Sequence, residues 1–168
     1  MKTNVVFIMA DDLGYWAIGR NCRDAVTPNI DELCDKGSYY ENFYCASPVC
    51  SPARASVLTG LMPSAHGVHD WIRSGNVDRN DSRISEDVAA SDCFAEEKEA
   101  IDYLCGQRTY LDFFRSCGYR TALFGKWHLG DSVKCGGFDT HVNITKGGCS
   151  YYNADVLRNG RITSKMST

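Results

Sequence analysis

The chain lacks an apolar run long enough to cross a bilayer: its longest, Val5-Val6-Phe7-Ile8-Met9-Ala10, gives way at once to two aspartates. That run also lacks the extended core and cleavage site of a secretory signal, so the chain as written is expected to remain cytoplasmic and off membranes. Positive charge is not in excess. Lys and Arg number 18 against 21 Asp and Glu, and a net charge of −3 gives no broad basic surface for nucleic acid. Among nine cysteines there is no C-x-x-C pair, which excludes a zinc ribbon or thioredoxin-type site and leaves reduced, structural thiols as the expectation for most of them. Two glycosylation sequons, Asn80-Asp81-Ser82 and Asn143-Ile144-Thr145, mean little in a chain that is not exported. No internal repeat is present.

What is there reads as one α/β core in 168 residues. Val5-Val6-Phe7-Ile8-Met9 is a continuous β-branched run, expected to be a strand buried on both faces. Thr27 before Pro28 predicts a helix start, with Asp31 and Glu32 early, Gly37 at the stop and Ile30, Leu33 and Cys34 inward. Residues 38–44 read as an aromatic strand. Ser51 is expected to cap a second helix with Pro52 at its first position and Gly60 at its end, leaving Cys50 at the helix N-terminus. The polar stretch 73–108, including a solvated acidic helix at Glu96-Glu97-Lys98-Glu99, is expected to be surface. Thr109 caps an amphipathic helix with Tyr110, Phe113, Phe114 and Cys117 inward, and residues 119–124 form a strand running into Gly125-Lys126-Trp127-His128. Asn159-Gly160 marks a hairpin.

Three constellations could carry chemistry. Asp11-Asp12 stands at the carboxyl end of a predicted buried strand, where open α/β sheets bind ligands; the pair is either a solvated turn or part of the oxygen shell of a hard cation. Cys50-Ser51-Pro52-Ala53-Arg54 puts a thiol where a helix dipole favours an anion, with Arg54 one turn on; the thiol is either inert and buried or reactive. In extended chain Lys126 and His128 project to one side and Trp127 to the other, so a cation and an imidazole could face one anionic group, or simply face water. His66 and His69 follow the second helix and lie either on that face or in a loop.

Together these elements resemble the type I sulfatases of the alkaline-phosphatase-like superfamily. The resemblance rests on Asn4-Val5-Val6-Phe7-Ile8-Met9-Ala10-Asp11-Asp12-Leu13-Gly14-Tyr15, on Thr27-Pro28-Asn29-Ile30-Asp31, and on Cys50-Ser51-Pro52-Ala53-Arg54-Ala55-Ser56-Val57-Leu58-Thr59-Gly60. It is completed by Gly118-Tyr119-Arg120-Thr121-Ala122-Leu123-Phe124-Gly125-Lys126-Trp127-His128-Leu129-Gly130, so four family blocks occur in family order. The resemblance implies an alkaline-phosphatase-like mixed sheet flanked by helices, and a sulfuric-ester hydrolase acting on a sulfated small molecule or glycan. Cys50 would be oxidised by a formylglycine-generating maturation enzyme to Cα-formylglycine, which hydrates to a diol. Asp11, Asp12 and the modified residue 50 would ligate Ca²⁺, one diol hydroxyl would attack sulfur, Arg54 would orient the diol, Lys126 would bind the sulfate and the leaving oxygen, and His128 would hold the second hydroxyl.

In the family a later Asp-Asn or Asp-His pair and a further His and Lys complete the site, and none is assignable here. Residues 1–168 are therefore read as the N-terminal portion of a sulfatase catalytic domain, inactive in isolation. Two other readings stand beside it: a phosphodiesterase or phosphonate monoester hydrolase of the same superfamily, and a non-catalytic remnant that binds sulfated ligands.

Overall fold

A computed structural model describes residues 2–78, 80, 96–131, 137–144, 146–148, 155–158 and 161–164. They form two compact units, Met1–Tyr44 and Cys45–Thr168. Cys93, Cys135, Cys149 and the Asn159-Gly160 turn lie outside the described residues. No described helix is long and apolar enough to cross a membrane.

The first unit is built on one helix, α1 (Pro28–Lys36), with Pro28 at its first turn as expected. Thr27 does not cap it in the predicted way. Its hydroxyl accepts a hydrogen bond from the Gly19 backbone at 2.7 Å and donates to Asp31 Oδ1 at 3.2 Å, while the Arg20 N–H donates to the same carboxylate oxygen at 2.9 Å. Thr27 and Asp31 thus fasten the loop after the 3₁₀ turn Tyr15–Ala17 onto the helix start. Three further expectations fail in this unit. Residues 5–9 form no strand and their side chains are exposed, Val6 and Ile8 each to 82%. Residues 38–44 are turn and irregular chain. The predicted inner face of α1 is likewise uncovered, Leu33 being 68% exposed.

The second unit contains α2 (Cys50–Thr59), the single turn α3 (Pro63–His66) and α4 (Tyr110–Ser116). Its sheet contains β1 (Ala122–Lys126), β2 (Thr140–Ile144), β3 (Asp155–Arg158) and β4 (Arg161–Ser164), in that order. β1 and β2 are parallel, and the remaining pairs are antiparallel. Arg158 lies opposite Arg161, the register that a two-residue Asn-Gly connection demands. The core joins Ala55 and Leu58 of α2, Val68, Ile72, Leu104, Leu111 of α4, Trp127, Leu129 and Leu157 of β3.

α4 begins where predicted, its Asp112 carboxylate accepting from the Thr109 backbone at 2.8 Å and the Thr109 hydroxyl at 3.1 Å. It is rotated from the predicted face: Leu111 is buried, Cys117 is exposed, and Phe113 is 67% exposed. Four inward candidates at helical spacing outvoted one leucine in the sequence, but this short helix meets the core along a strip that Leu111 fills. Of the described cysteines, Cys45, Cys105 and Cys117 are exposed, so these three are not core thiols. Asn143, the acceptor of the second sequon, is 1% exposed, and a glycan there would require β2 to leave the sheet.

The sharpest correction concerns residues 73–108. Gly75, Asn76 and Val77 are buried, and Glu97, expected on a solvated helix, is 1% exposed. The Ile101 N–H donates to Gly75 O at 2.8 Å, the Asp131 N–H donates to Ile101 O at 2.9 Å, and Asp102 bridges Gly130. This segment packs directly onto the loop after β1. Gly130, at φ +64°, permits the approach, since a side chain there would run into the carbonyl oxygens of Ile101 and Gly75.

Candidate active site

The sequence-predicted residues divide between the units. Asp11 and Asp12 follow the apolar run of the first unit, both exposed, and Asp12 sits at φ +59°. His128, in the second unit, sits at φ +60°, and these two are the non-glycine residues at positive φ among the described residues. A left-handed backbone costs a histidine about 1–3 kcal/mol and persists only where surrounding contacts dictate it.

α2 starts two residues earlier than expected. Val49 is the N-cap and Cys50 the first helical residue, because Ser51 is not free to cap: its side chain is fully buried. The Ser51 hydroxyl accepts from the Ile72 N–H at 3.2 Å and lies 3.2 Å from His128 Nδ1. His128 Nε2 lies 2.8 Å from Ile72 O. A carbonyl only accepts, so Nε2 carries a proton; in the neutral ring Nδ1 is then the basic nitrogen and accepts from the Ser51 hydroxyl. The Trp71 ring meets the imidazole edge-on at 5.3 Å. With both nitrogens engaged and no exposure, His128 does not continue the extended chain that alternation assumed; it turns at φ +60° and is buried.

Arg54, one turn into α2, donates from Nη1 to Lys126 O at 2.7 Å. Two bonds therefore lash the first turns of α2 to the end of β1, Arg54 to Lys126 and Ser51 to His128, and bring the cysteine segment and the Lys-Trp-His segment together. Trp127 anchors the latter, 3% exposed, its Nε1–H donating to Gly130 O at 3.1 Å and its ring edge-on to Phe138 at 5.6 Å. Cys50 is half-buried at the head of this assembly.

His66 and His69 do other things. His69 is exposed. His66 is 4% exposed; Nδ1 accepts from the Val68 N–H at 3.1 Å, so Nε2–H donates to Ser56 Oγ at 2.9 Å and holds α3 against α2. Burial, and then the neighbouring His69, lower its pKa below the usual 6.5. The unfolded chain thus binds a proton at a higher pH than the folded one, and stability present above about 6.5 is expected to fall as pH drops through the folded-state pKa. Urea midpoints measured across that window check this, with His66→Gln expected to flatten the decline.

Sequence reasoning missed Ser51 as a bridge, Ile72 as the imidazole's acceptor, and the buried Glu97. A serine after the cysteine was visible, but its helix-cap use was the locally cheaper reading. Nothing local marks Glu97.

These described elements are part of an alkaline-phosphatase-like α/β fold. A protein solved in complex with its substrate, D-glucosamine-2-N,6-O-disulfate, superposes with a TM-score of 0.67 at 24% identity, over 96% of this chain and 27% of its own. A family model described as Sulfatase matches residues 3–159, and the chain belongs to the sulfatase family. Steryl-sulfatase of Homo sapiens is 33% identical over 132 residues, which is 78% of this chain and 20% of that protein. N-acetylgalactosamine-6-sulfatase of Mus musculus is 27% identical over 128 residues, 76% of this chain and 22% of its own. The chain thus spans 20% and 22% of the length of these two relatives.

Proposed function

We propose that this chain carries the nucleophile segment of a sulfuric-ester hydrolase, with Cys50 as the precursor of the attacking group. The observation that carries this reading is the double attachment of α2 to the end of β1, Arg54 to Lys126 and Ser51 to His128. It gathers a thiol, a guanidinium, an ammonium-bearing residue and an imidazole around one helix start. Family membership and relatives named for sulfate esters support it.

Asp11 and Asp12 fit Ca²⁺ in donor chemistry, being hard oxygen ligands at an exposed turn. They supply part of a shell, and no cluster of three ligating side chains forms among the described residues. With residue 50 they would hold the metal. When present, Ca²⁺ supplies charge to a sulfate oxygen, and the formylglycine hydrate made from Cys50 by a maturation enzyme supplies a hydroxyl nucleophile.

The chain's own residues do the rest. Arg54, fixed through its guanidinium to the Lys126 carbonyl, orients the side chain at position 50 and offsets its charge. Lys126 binds sulfate and the leaving oxygen. The buried His128 would act through Ser51: as the Ser51 hydroxyl takes the proton of the second hydroxyl it passes its own to Nδ1, and the resulting imidazolium keeps a donor bond to Ile72 O and holds one to Ser51. The substrate class is a sulfated small molecule or glycan.

Comparing turnover of an aryl sulfate and an aryl phosphonate by the complete, matured protein tests this. Release of sulfate well ahead of phosphonate is expected. Faster phosphonate turnover would favour a phosphonate monoester hydrolase, and ligand binding without turnover a non-catalytic role.

A further inference from the structure

Glu97 lies in a segment that the sulfatase reading leaves without a role, yet it is the most buried carboxylate among the described residues. Its oxygens accept from the Asn76 N–H at 2.9 Å, the Asn76 side-chain amide at 3.2 Å and the Val77 N–H at 3.4 Å. The Lys146 ammonium pairs with it at 3.3 Å, with only 18% of the lysine side chain exposed. Burying such a charge is costly unless it is paired and hydrogen-bonded, and here it is both.

The next residue gives this cluster a purpose. Gly147 lies directly on the His128 ring: a methyl on its α-carbon would overlap Cε1, Nε2 and Nδ1 of the imidazole. His128 is therefore enclosed by Ser51 and Ile72 at its nitrogens, by the Trp71 edge, and by the Gly147 backbone. Only glycine allows that approach.

We propose that Glu97 is a positioning residue for His128: through Lys146 it seats the Gly147 backbone against the imidazole and locks the ring with its proton on Nε2 and Nδ1 turned to Ser51. Asn76 and Val77, held by the same carboxylate, follow Ile72 in the chain, so one side chain fastens both walls of the enclosure. The catalytic role of His128 itself rests on the sulfatase reading; its enclosure does not.

The test uses the full chain with ¹⁵N-labelled histidine, reading the ring-nitrogen shifts of His128 alongside kcat and KM for an aryl sulfate in the matured protein. The unsubstituted chain is expected to show the neutral Nε2–H tautomer. Glu97→Gln, which keeps the shape but loses the charge holding Lys146, is expected to give mixed His128 tautomers and to lower kcat about tenfold or more with KM little changed. Lys146→Met should do the same and Lys146→Arg should restore the original spectrum, while Gly147→Ala should displace the ring outright. If Glu97→Gln does not fold, the double variant Glu97→Gln, Lys146→Met, with no charge left to bury, carries the same reading. Altered thermal stability with His128 shifts and kcat unchanged in these variants would overturn the proposal. Changed tautomers in a protein that hydrolyses no sulfate ester would sustain it and sink the functional reading instead.

Discussion

Replacing Cys50 by alanine in the complete, matured protein is expected to lower sulfate-ester turnover by about a thousandfold or more. The fold should survive, because α2 is anchored by buried Ser51, Pro52, Ala55 and Leu58 rather than by the half-buried thiol before them. Cys50→Ser should be no better. A serine hydroxyl that took up sulfate would be left as a stable ester, whereas the second hydroxyl of a diol, deprotonated towards His128, allows sulfate to be expelled and the aldehyde to return. Sulfate release together with circular dichroism checks this, and native-like turnover by either variant would remove position 50 from the chemistry.

The largest effect on stability is expected at Trp127. Truncation to alanine removes a side chain that is 3% exposed, leaves Gly130 O without its indole donor and opens a cavity against Phe138, at a cost of about 3–5 kcal/mol. Phe124, three residues earlier on β1, is 71% exposed, and its alanine variant should lie within about 0.5 kcal/mol of the parent chain. Denaturant titration of the two variants gives the comparison; similar costs at both positions would mean that β1 is packed on the opposite face from the one described. Because Trp127 lies between Lys126 and His128, its loss should also free the loop that carries the imidazole, and activity should fall with stability.

Local chemistry written in the sequence translated well into structure. Pro28 and Gly37 bounded α1, Gly60 closed α2 at φ +70°, Thr109 started α4, and Asn159-Gly160 foretold the β3–β4 register. Each of these depends on residues within one or two turns of each other. Burial did not translate. Residues 5–9 carry the pattern of a buried strand yet are exposed, since pattern states what a segment favours and not what the tertiary arrangement does with it. Conversely, Glu97 sits in an acidic run and is buried, because only the tertiary arrangement brings Lys146 and the Asn76-Val77 amides to it.

The candidate site shows the same division. Cys50, Arg54, Lys126 and His128 were identifiable from spacing and family resemblance, but their attachments were not. Alternation along an extended chain put His128 on the same side as Lys126; the left-handed turn at His128, bound on both ring nitrogens, buries it instead. Ser51, read as a helix cap, links the two segments instead, and that displaces the helix start to Cys50. The sequence names the candidate groups, while packing determines which nitrogen of His128 bears the proton and which residues hold the ring.

The central claim, that Cys50 is the precursor of an aldehyde-hydrate nucleophile, is tested most directly by the mass of the tryptic peptide containing position 50, taken from protein co-expressed with a formylglycine-generating enzyme. The account predicts a side chain in which sulfur has been replaced by oxygen with loss of two hydrogens, trapped by a hydrazide probe. An intact thiol at that position in protein that nevertheless hydrolyses sulfate esters would contradict it.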